Sequence, residues 1–306
     1  MKESIPPILR PDHQVPVALS ALASEFGLNW DGAPSEVSVT GISMNTNDLR
    51  PGDLFVAMPG LKTHGASFVQ AAIDKGAVAL ITDSSGLELL GGARLPTLIL
   101  ENPRHHLGDL AAFVYGNRPG TMPLLFATTG TNGKTSTSYL LEGILRQLGE
   151  TTGLTSTAER HIAGEIIVSR LTTPESTEMN ALIARMKEKG VTAAVLEVSA
   201  QALTQRRVDG LHFDVAAFTN LSHDHLDDYG TMQKYFEAKL ELFDPSRSDK
   251  AVISLDSDYG SKASELIKIP KVTVGSHGQT EADYLVSIDE ENSMFTAFSL
   301  TGPEGK

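Results

Sequence analysis

The alternation of apolar and polar positions predicts a small α/β domain over residues 1–118. Short runs rich in Val, Ile, Leu and Phe, each bounded by Gly, Pro or Asp, are typical of strands. These runs are Ser38–Ser43, Leu54–Ala57, Ala77–Thr82 and Thr97–Leu100. After the last run, apolar residues recur at i, i+3, i+4 and i+7, which predicts a helix with one buried face. Its residues are Leu107, Leu110, Ala111 and Val114.

Turn-forming residues between Tyr115 and Pro123 separate this segment from a second one, predicted to be a domain over residues 119–306. The second segment opens with an apolar run, Leu124–Ala127, then a glycine-containing loop, then a helix. The expected buried face of that helix consists of Leu140, Leu141, Ile144, Leu145 and Leu148. Near-continuous apolar runs follow, as expected of parallel strands covered on both faces. They are Val191–Val198, Val215–Thr219 and Ala251–Leu255.

Two further runs near the end of the chain, Tyr284–Ile288 and Met294–Leu300, flank an acidic turn and predict a β-hairpin. The expected fold is therefore α/β. A small N-terminal α/β domain precedes a central domain with a mostly parallel sheet, and a terminal hairpin region follows.

Composition and charge exclude several classes of protein. Hydrophobic residues make up 41% and charged residues 21% of the chain, which is typical of folded, water-soluble proteins. The formal net charge of -13 has the wrong sign for a nucleic-acid partner. The absence of cysteine excludes disulfides, thiolate zinc sites and a cysteine nucleophile. Without an apolar leader or spanning segment in the sequence, we expect a cytoplasmic protein with no membrane partner.

The clearest chemical motif is Thr129-Gly130-Thr131-Asn132-Gly133-Lys134-Thr135, set between an apolar strand and an amphipathic helix. That context suits a phosphate loop, in which backbone N–H groups converge on phosphates and Lys134 reaches the outer phosphate oxygens. The Thr135 hydroxyl would then face Mg²⁺. Thr128 stands where the common pattern has Gly or Ala. The alternative interpretation is a glycine turn followed by a surface lysine.

Three other features carry candidate chemistry. Glu197 is the single charge in an apolar run and lies near the end of a predicted strand, where a carboxylate can bind a metal or a water, or simply face solvent. The segment His223-Asp224-His225-Leu226-Asp227 invites a zinc site, although a site built around ATP prefers Mg²⁺ and oxygen ligands; composition leaves this open. Lys239 lies in a helical pattern and, taken alone, is an ordinary surface lysine.

Together these motifs resemble the Mur ligase family of ATP-dependent amide-forming enzymes. The resemblance covers nearly the whole chain. It rests on the following segments: Arg50–Ala57 with Gly60 and His64-Gly65, Thr129–Thr135, Thr172-Thr173-Pro174-Glu175, Glu197-Val198-Ser199, Thr219–Ser222 with Asp224–Asp227, and Glu237-Ala238-Lys239.

The resemblance implies roles for particular residues. ATP contacts would be Gly130, Thr131, Asn132, Gly133, Lys134, Thr135 and Asn220. Catalytic residues would be Lys134, Glu197, His225 and Lys239, and metal ligands Thr135, Glu197, His225 and Lys239. Lys239 would be carbamylated, because a lysine that takes up CO2 becomes a carboxylate that helps to hold Mg²⁺. Substrate contacts would be Thr46, Lys62, Thr63, Thr172, Thr173, Ser199 and Arg207.

The implied activity is addition of a third amino acid to UDP-N-acetylmuramoyl-L-Ala-D-Glu through an acyl phosphate, in peptidoglycan precursor synthesis. The implied cofactors are ATP and Mg²⁺, the partners are that UDP-linked dipeptide and a free amino acid, and a monomer is expected. Alternatives are a folylpolyglutamate synthetase-like ligase, a ligase that adds D-Ala-D-Ala, an unrelated P-loop kinase or GTPase, and an inactive nucleotide- and substrate-binding module.

The sequence departs from the family pattern in three ways. Asn45-Thr46-Asn47 stands where the family usually has Asp-Ser-Arg on the uridine side. Ser199-Ala200-Gln201 stands where Ser-Ser-His is frequent, so that the role of the histidine is either taken by Gln201 or not filled at all. Family members also have a third domain that binds the incoming amino acid. We expect this chain to be truncated before that domain and to be inactive by itself.

Overall fold

The computed structural model describes residues 8–276 and 281–303. The first part of the chain contains β1 (Val17–Ala18), α1 (Leu19–Glu25), β2 (Asn29–Asp31), β3 (Ser38–Val39), β4 (Gly41–Ser43), β5 (Asp53–Ala57), α2 (Val69–Asp74), β6 (Ala79–Thr82), α3 (Ser84–Leu87), β7 (Thr97–Ile99) and α4 (Pro103–Tyr115). Single 3₁₀ turns lie at Thr46–Asp48, Gly65–Phe68 and Glu241–Phe243.

The remainder contains β8 (Leu124–Thr129), α5 (Lys134–Gln147), β9 (Thr152–Thr155), β10 (Glu159–Ile162), β11 (Glu165–Val168), α6 (Ser176–Glu188), β12 (Ala193–Glu197), α7 (Ala200–Thr204), β13 (Phe213–Phe218), α8 (Leu226–Tyr229), α9 (Met232–Leu240), β14 (Ser248–Ser254), α10 (Asp258–Leu266), β15 (Lys271–Gly275), β16 (Tyr284–Glu291) and β17 (Thr296–Thr301). None of the helices in the described ranges is long and apolar enough to cross a membrane.

The chain forms two compact units. The first unit contains the described residues up to Pro123, together with Pro174–Val191 and Arg206–Leu211. The second unit contains Leu124–Thr173, Thr192–Gln205 and the described residues from His212 onward. Neither unit is one uninterrupted stretch of chain, and the predicted division at residues 118 and 119 stays a prediction.

A five-stranded sheet organises the first unit, in the order β2-β7-β6-β5-β4. Strands β4 to β7 are parallel, and β2 pairs antiparallel with β7 at one edge. Alternate residues of β5 serve two cores: Leu54 and Val56 pack with α1 and α4, whereas Phe55 and Ala57 pack with α2. Both faces of the strand are therefore apolar, which explains its unbroken hydrophobic run.

Most of the first-unit predictions are confirmed, with one correction. All four apolar residues predicted to face the core from α4 are buried, and Pro103 occupies the first turn of that helix. The predicted strand Ser38–Ser43 is wrong as a single strand: β3 pairs with β1, and β4 pairs with β5 in a different sheet. The break falls at Thr40, whose N–H donates to the carbonyl of Gly52 and joins neither pairing.

A ten-stranded sheet organises the second unit, in the order β11-β10-β9-β12-β8-β13-β14-β15-β16-β17. The strands from β9 to β16 in this order are parallel, and the pairs at both ends are antiparallel. The predicted mixed α/β fold with a mostly parallel central sheet and a terminal hairpin, β16–β17, is confirmed.

The buried face of α5 differs from the predicted one. Leu145 is buried, but Leu140, Ile144 and Leu148 are exposed. The helix instead turns Ser138, Glu142 and Leu145 toward the sheet. Glu142 can be buried because its carboxylate accepts from Thr152 Oγ1 at 3.1 Å and lies 2.8 Å from His161 Nδ1. The buried face of α5 therefore includes the hydrogen-bonded carboxylate of Glu142, whereas the apolar pattern predicted a face made of leucine and isoleucine side chains.

Candidate functional site

The phosphate-loop motif lies between β8 and α5, as its sequence context predicts. Gly130 has φ of +151°, and a Cβ there would come 1.9 Å from Thr219 Oγ1. Gly133 has φ of +83° and immediately precedes α5. Both positions therefore require glycine. Thr135 is half-buried in the first turn of α5, where backbone N–H groups have no partner within the helix and attract anions.

The segment after β13 holds this loop in place. Asn220 accepts from the N–H of Thr131 through its carbonyl and from the N–H of Asn132 through Oδ1, each at 3.0 Å. Its Nδ2 donates to the carbonyl of Asn132 at 3.0 Å, and Thr219 Oγ1 donates to the same carbonyl at 2.7 Å. Asn220, predicted as an ATP contact, is thus fastened to the backbone of the loop.

Two lysines converge on one carbonyl of the loop. Lys134 Nζ donates to the carbonyls of Gly130 and Thr131, each at 2.9 Å. Lys239 Nζ, from α9, also donates to the Gly130 carbonyl at 2.9 Å and lies 4.5 Å from the centre of the Tyr235 ring. Lys239 is only 1% exposed, so the interpretation of this residue as a surface lysine is wrong.

The electrostatic environment disfavours the charge on both lysines. Burial lowers the pKa of Lys134 below its ordinary value, although Glu197 and Asp224 act in the opposite direction. Burial, together with the charge of Lys134, lowers the pKa of Lys239 to about 7, against the opposing influence of Asp224. Near neutral pH a large part of Lys239 is therefore a free amine, the form that reacts with CO2.

Glu197 ends β12 and is fully buried. Its Oε1 accepts from the N–H of Thr157 at 3.3 Å, and its Oε2 accepts from Thr157 Oγ1 at 3.1 Å. The alternative interpretation of Glu197 as a solvent-facing strand end is wrong, because the carboxylate is enclosed and hydrogen-bonded.

Predicted substrate residues cluster around Glu197. Thr173 Oγ1 donates to the Glu197 carbonyl at 2.9 Å and accepts from the N–H of Ser199 at 3.2 Å. Thr172 Oγ1 lies 3.1 Å from Thr157 Oγ1. Ser199 also caps α7 by accepting from the N–H of Ala202. The second unit thus brings Thr172, Thr173 and Ser199 together with Glu197.

His225 lies in an exposed turn before α8, in the left-handed region with φ of +51°. Its Nε2 is 3.5 Å from Asp224 Oδ2, and its Nδ1 is 3.4 Å from Gln201 Nε2. The amide of Gln201 also donates to Asp228 at 2.7 Å. Gln201, which replaces the family's frequent histidine, therefore contacts the predicted metal ligand.

The described residues contain no cluster of three or more His, Asp and Glu side chains arranged to hold a metal ion. Thr135 and Lys239 are not of those residue types, so the predicted magnesium ligands stay a prediction.

The other predicted substrate contacts belong to the first unit. Thr46 begins a 3₁₀ turn, and Lys62 and Thr63 are exposed in the loop before His64. Arg207 Nε donates to Glu175 at 3.0 Å, and Arg104 donates to the other oxygen of the same carboxylate at 2.9 Å.

Sequence reasoning missed two residues of the site. Thr157 lies in the turn between β9 and β10, two residues after β9 ends, and belongs to none of the quoted motifs. Its sequence context carries no signal of a functional role. Asp224 was noted within the histidine-rich segment but given no role. Its negative charge acts on both Lys134 and Lys239.

Comparison with known families identifies both units. The Mur ligase middle domain matches residues 128–305, and the catalytic domain of the Mur ligase family matches residues 38–115. A UDP-N-acetylmuramyl-tripeptide synthetase from Leifsonia xyli is 50% identical over 301 residues, which are 98% of this chain and 58% of that protein. A UDP-N-acetylmuramoyl-L-alanyl-D-glutamate–2,6-diaminopimelate ligase from Streptomyces avermitilis is 42% identical over 96% of this chain and 58% of its own length.

Solved structures agree with these matches. The structure of a UDP-N-acetylmuramoyl-L-alanyl-D-glutamate–2,6-diaminopimelate ligase superposes with a TM-score of 0.79 at 25% identity, over 95% of this chain and 58% of that one. MurF ligase from Thermotoga maritima, solved with ADP, shares the fold with a TM-score of 0.62 at 20% identity, over 87% and 56% of the two chains. The chain spans about 58% of the length of the curated relatives it matches. It belongs to the Mur ligase family.

Proposed function

We propose that the protein takes part in ATP-dependent amide-bond formation, adding a third amino acid to UDP-N-acetylmuramoyl-L-Ala-D-Glu. In this reaction ATP phosphorylates the γ-carboxylate of D-Glu, and the amine of the incoming amino acid attacks the acyl phosphate. The observation that carries the proposal is the convergence of Lys134 and the buried Lys239 on the Gly130 carbonyl, beside the enclosed carboxylate of Glu197. The names of the relatives at 50% and 42% identity support the same substrate.

The loop and the start of α5 supply what a triphosphate needs. Gly130 and Gly133 allow the backbone to approach phosphate oxygens closely, and the helix N-terminus attracts negative charge. When ATP binds, the Lys134 ammonium would exchange its bonds to loop carbonyls for bonds to the outer phosphates. A carboxylate that approaches a triphosphate meets strong repulsion, which a lysine placed there offsets.

The donor set around this loop fits Mg²⁺. Glu197 offers a buried carboxylate and Thr135 a hydroxyl, and hard oxygen atoms are the ligands that Mg²⁺ prefers. A carbamylated Lys239 would add a further oxygen donor, and its lowered pKa favours that modification. His225 completes the proposed set. Bound Mg²⁺ would neutralise charge on the phosphates during transfer.

Thr172, Thr173 and Ser199 are proposed to contact the peptide part of the substrate, since they lie around Glu197 on the second unit. Thr46, Lys62 and Thr63 are proposed to contact its UDP part from the first unit. Arg207 is proposed to bind a carboxylate or phosphate, for which a planar guanidinium is suited.

Calorimetry with the purified chain tests the substrate. Saturable binding of UDP-N-acetylmuramoyl-L-Ala-D-Glu, tighter than that of UDP alone, is the expected result. Binding of dihydropteroate in its place would favour a folylpolyglutamate synthetase-like ligase. Binding of ATP with neither of these ligands would refute the proposed substrate.

A second experiment tests the phosphate loop. Lys134→Ala should abolish measurable ATP binding, whereas Lys234→Ala, which changes an exposed lysine of α9, should bind ATP as the wild type does. Equal ATP affinity in wild type and Lys134→Ala would refute the assignment of Lys134 to the phosphates.

A further inference from the structure

Thr157 makes three hydrogen-bond contacts from the turn between β9 and β10. Its N–H and its hydroxyl bind the two oxygens of the Glu197 carboxylate, at 3.3 and 3.1 Å. The same hydroxyl lies 3.1 Å from the hydroxyl of Thr172. A single side chain therefore joins the proposed magnesium-binding carboxylate to a proposed substrate-binding threonine.

The number of protons on each group fixes the direction of the hydrogen bonds that link Glu197, Thr157 and Thr172. An ionised carboxylate only accepts, so the one hydroxyl proton of Thr157 goes to Glu197 Oε2. The contact between the two threonines is then a hydrogen bond only if the Thr172 hydroxyl donates to Thr157 Oγ1. The Thr172 hydroxyl can then only accept a hydrogen bond from a ligand.

The turn is built to hold Thr157 in this position. Ser156 is fully buried, and its hydroxyl accepts from the N–H groups of Ala158 and Glu159 at 3.2 and 3.0 Å. It also donates to the Glu159 carbonyl at 2.9 Å. The antiparallel pairing of β9 with β10 holds the two ends of the turn together. The residues on either side of Thr157 are therefore held by hydrogen bonds that do not involve Glu197.

The opposite side of Glu197 is fixed as well. Thr173 Oγ1 donates to the Glu197 carbonyl and accepts from the N–H of Ser199, which joins the end of β12 to the start of α7. Since the backbone of Glu197 is held from one side and its carboxylate from the other, the carboxylate has one preferred orientation.

We propose that Thr157 is a positioning residue with two effects. It orients the Glu197 carboxylate, and it commits the Thr172 proton so that Thr172 recognises a hydrogen-bond donor of the substrate. The peptide N–H groups of the UDP-linked dipeptide are such donors, whereas its carboxylates are not. The identity of this substrate rests on the proposed function, but the chain of hydroxyls does not.

The substrate part of the proposal is tested by calorimetry without nucleotide or metal. Thr157→Val removes the hydroxyl at nearly constant volume and should weaken binding of UDP-N-acetylmuramoyl-L-Ala-D-Glu by about 5- to 20-fold, because the Thr172 hydroxyl that binds the ligand loses its fixed orientation. Thr157→Ser keeps the hydroxyl and should bind within about twofold of the wild type. Thr157→Val with wild-type affinity would overturn the proposal.

Two ligand analogues, each with one peptide N–H replaced by an ester oxygen, identify the donor. Wild type should lose about 10-fold in affinity for one of them, and Thr157→Val should lose less for the same analogue, because its Thr172 hydroxyl is free to rotate and donate. Equal losses in the two proteins, or no loss in the wild type, would overturn the donor assignment.

A double-mutant cycle tests the hydroxyl chain without any ligand. Thr172→Val should lower the midpoint of urea unfolding in the wild-type background, and by less than half as much in the Thr157→Val background. Additive effects would overturn the chain of hydrogen bonds. If wild type does not bind the UDP-linked dipeptide, the proposed function fails, and this cycle still decides the role of Thr157.

Discussion

Lys239 provides a sharp test of the electrostatics of the site. The residue is 1% exposed, donates to the Gly130 carbonyl and shares that carbonyl with a second lysine. Lys239→Met keeps a flexible side chain of similar length in the same space and removes the titrating amine. The free energy of unfolding of this variant should therefore lack one pH-dependent contribution that the wild type has.

The size and sign of that contribution follow from the pKa. The pKa of Lys239 falls from its ordinary value of 10.5 to about 7 in the folded chain. Between these values the unfolded chain binds a proton that the folded chain has released, so stability rises with pH. From pH 6 to pH 9 the free energy of unfolding of the wild type should rise by about 2–3 kcal/mol relative to Lys239→Met.

Urea denaturation at pH 6, 7.5 and 9, in buffer freed of CO2, measures this difference. Lys234→Met is the matched control, since Lys234 is an exposed lysine of the same helix. The change with pH should be larger for Lys239→Met than for this control. A flat difference for Lys239→Met over the same range would refute the argument that burial suppresses the charge on Lys239.

The same pKa predicts the reactivity of the amine. With a pKa lowered to about 7, a large part of Lys239 is neutral at pH 7.4, against about 0.1% of an ordinary lysine. Addition of ¹³C-labelled bicarbonate should therefore give a carbamate signal in the ¹³C spectrum of the wild type that Lys239→Met lacks. A spectrum that is the same for both proteins would contradict carbamylation of this residue.

Three further predictions concern stability. Arg10→Met leaves the Asp53 carboxylate buried without its guanidinium, 2.7 Å away in the wild type, and should lower the free energy of unfolding by about 3–5 kcal/mol in urea titrations. Gly143→Ala should raise the melting temperature, because a Cβ at this position of α5 meets no atom within 4 Å and alanine favours helix by about 1 kcal/mol. Burial alone would raise the pKa of Asp83, but hydrogen bonds and a nearby histidine lower it overall. Asp83→Asn should therefore be less stable than the wild type at pH 7, and this deficit should shrink as the pH falls below about 4; a deficit that stays constant to pH 2.5 would contradict the shift.

The sequence predicts the parts of the fold in which residue pattern and burial coincide. The strands β5, β6, β8 and β13 are apolar on both faces, and each was found close to its predicted place. The strands β9 to β11 were not predicted, because they are short and contain Thr, Glu, Arg and His. Their polar residues are accommodated by specific partners, such as Glu142 for His161, which no periodicity reveals.

The candidate site divides in the same way. Lys134 and Glu197 can be predicted because local pattern marks both residues: Lys134 follows a glycine loop between a strand and a helix, and Glu197 lies at the end of an apolar strand. Burial of Lys239 could not be worked out from its own helix, whose pattern left it on the surface; only the family resemblance indicated otherwise. Thr157 depends on a turn that approaches Glu197 from 40 residues away in the chain, and such contacts are not encoded in local spacing.

The position of β8 and β12 in the sheet affects how the site should fluctuate. Both strands have hydrogen-bonded neighbours on each side, while β11 and β17 form the margins. Amide hydrogens of the two central strands should exchange with solvent only through the largest opening events, whereas those at the margins exchange through local fraying. Local opening of the outer hairpins can therefore occur many times while β8 and β12, which carry the phosphate loop and Glu197 at their ends, stay folded.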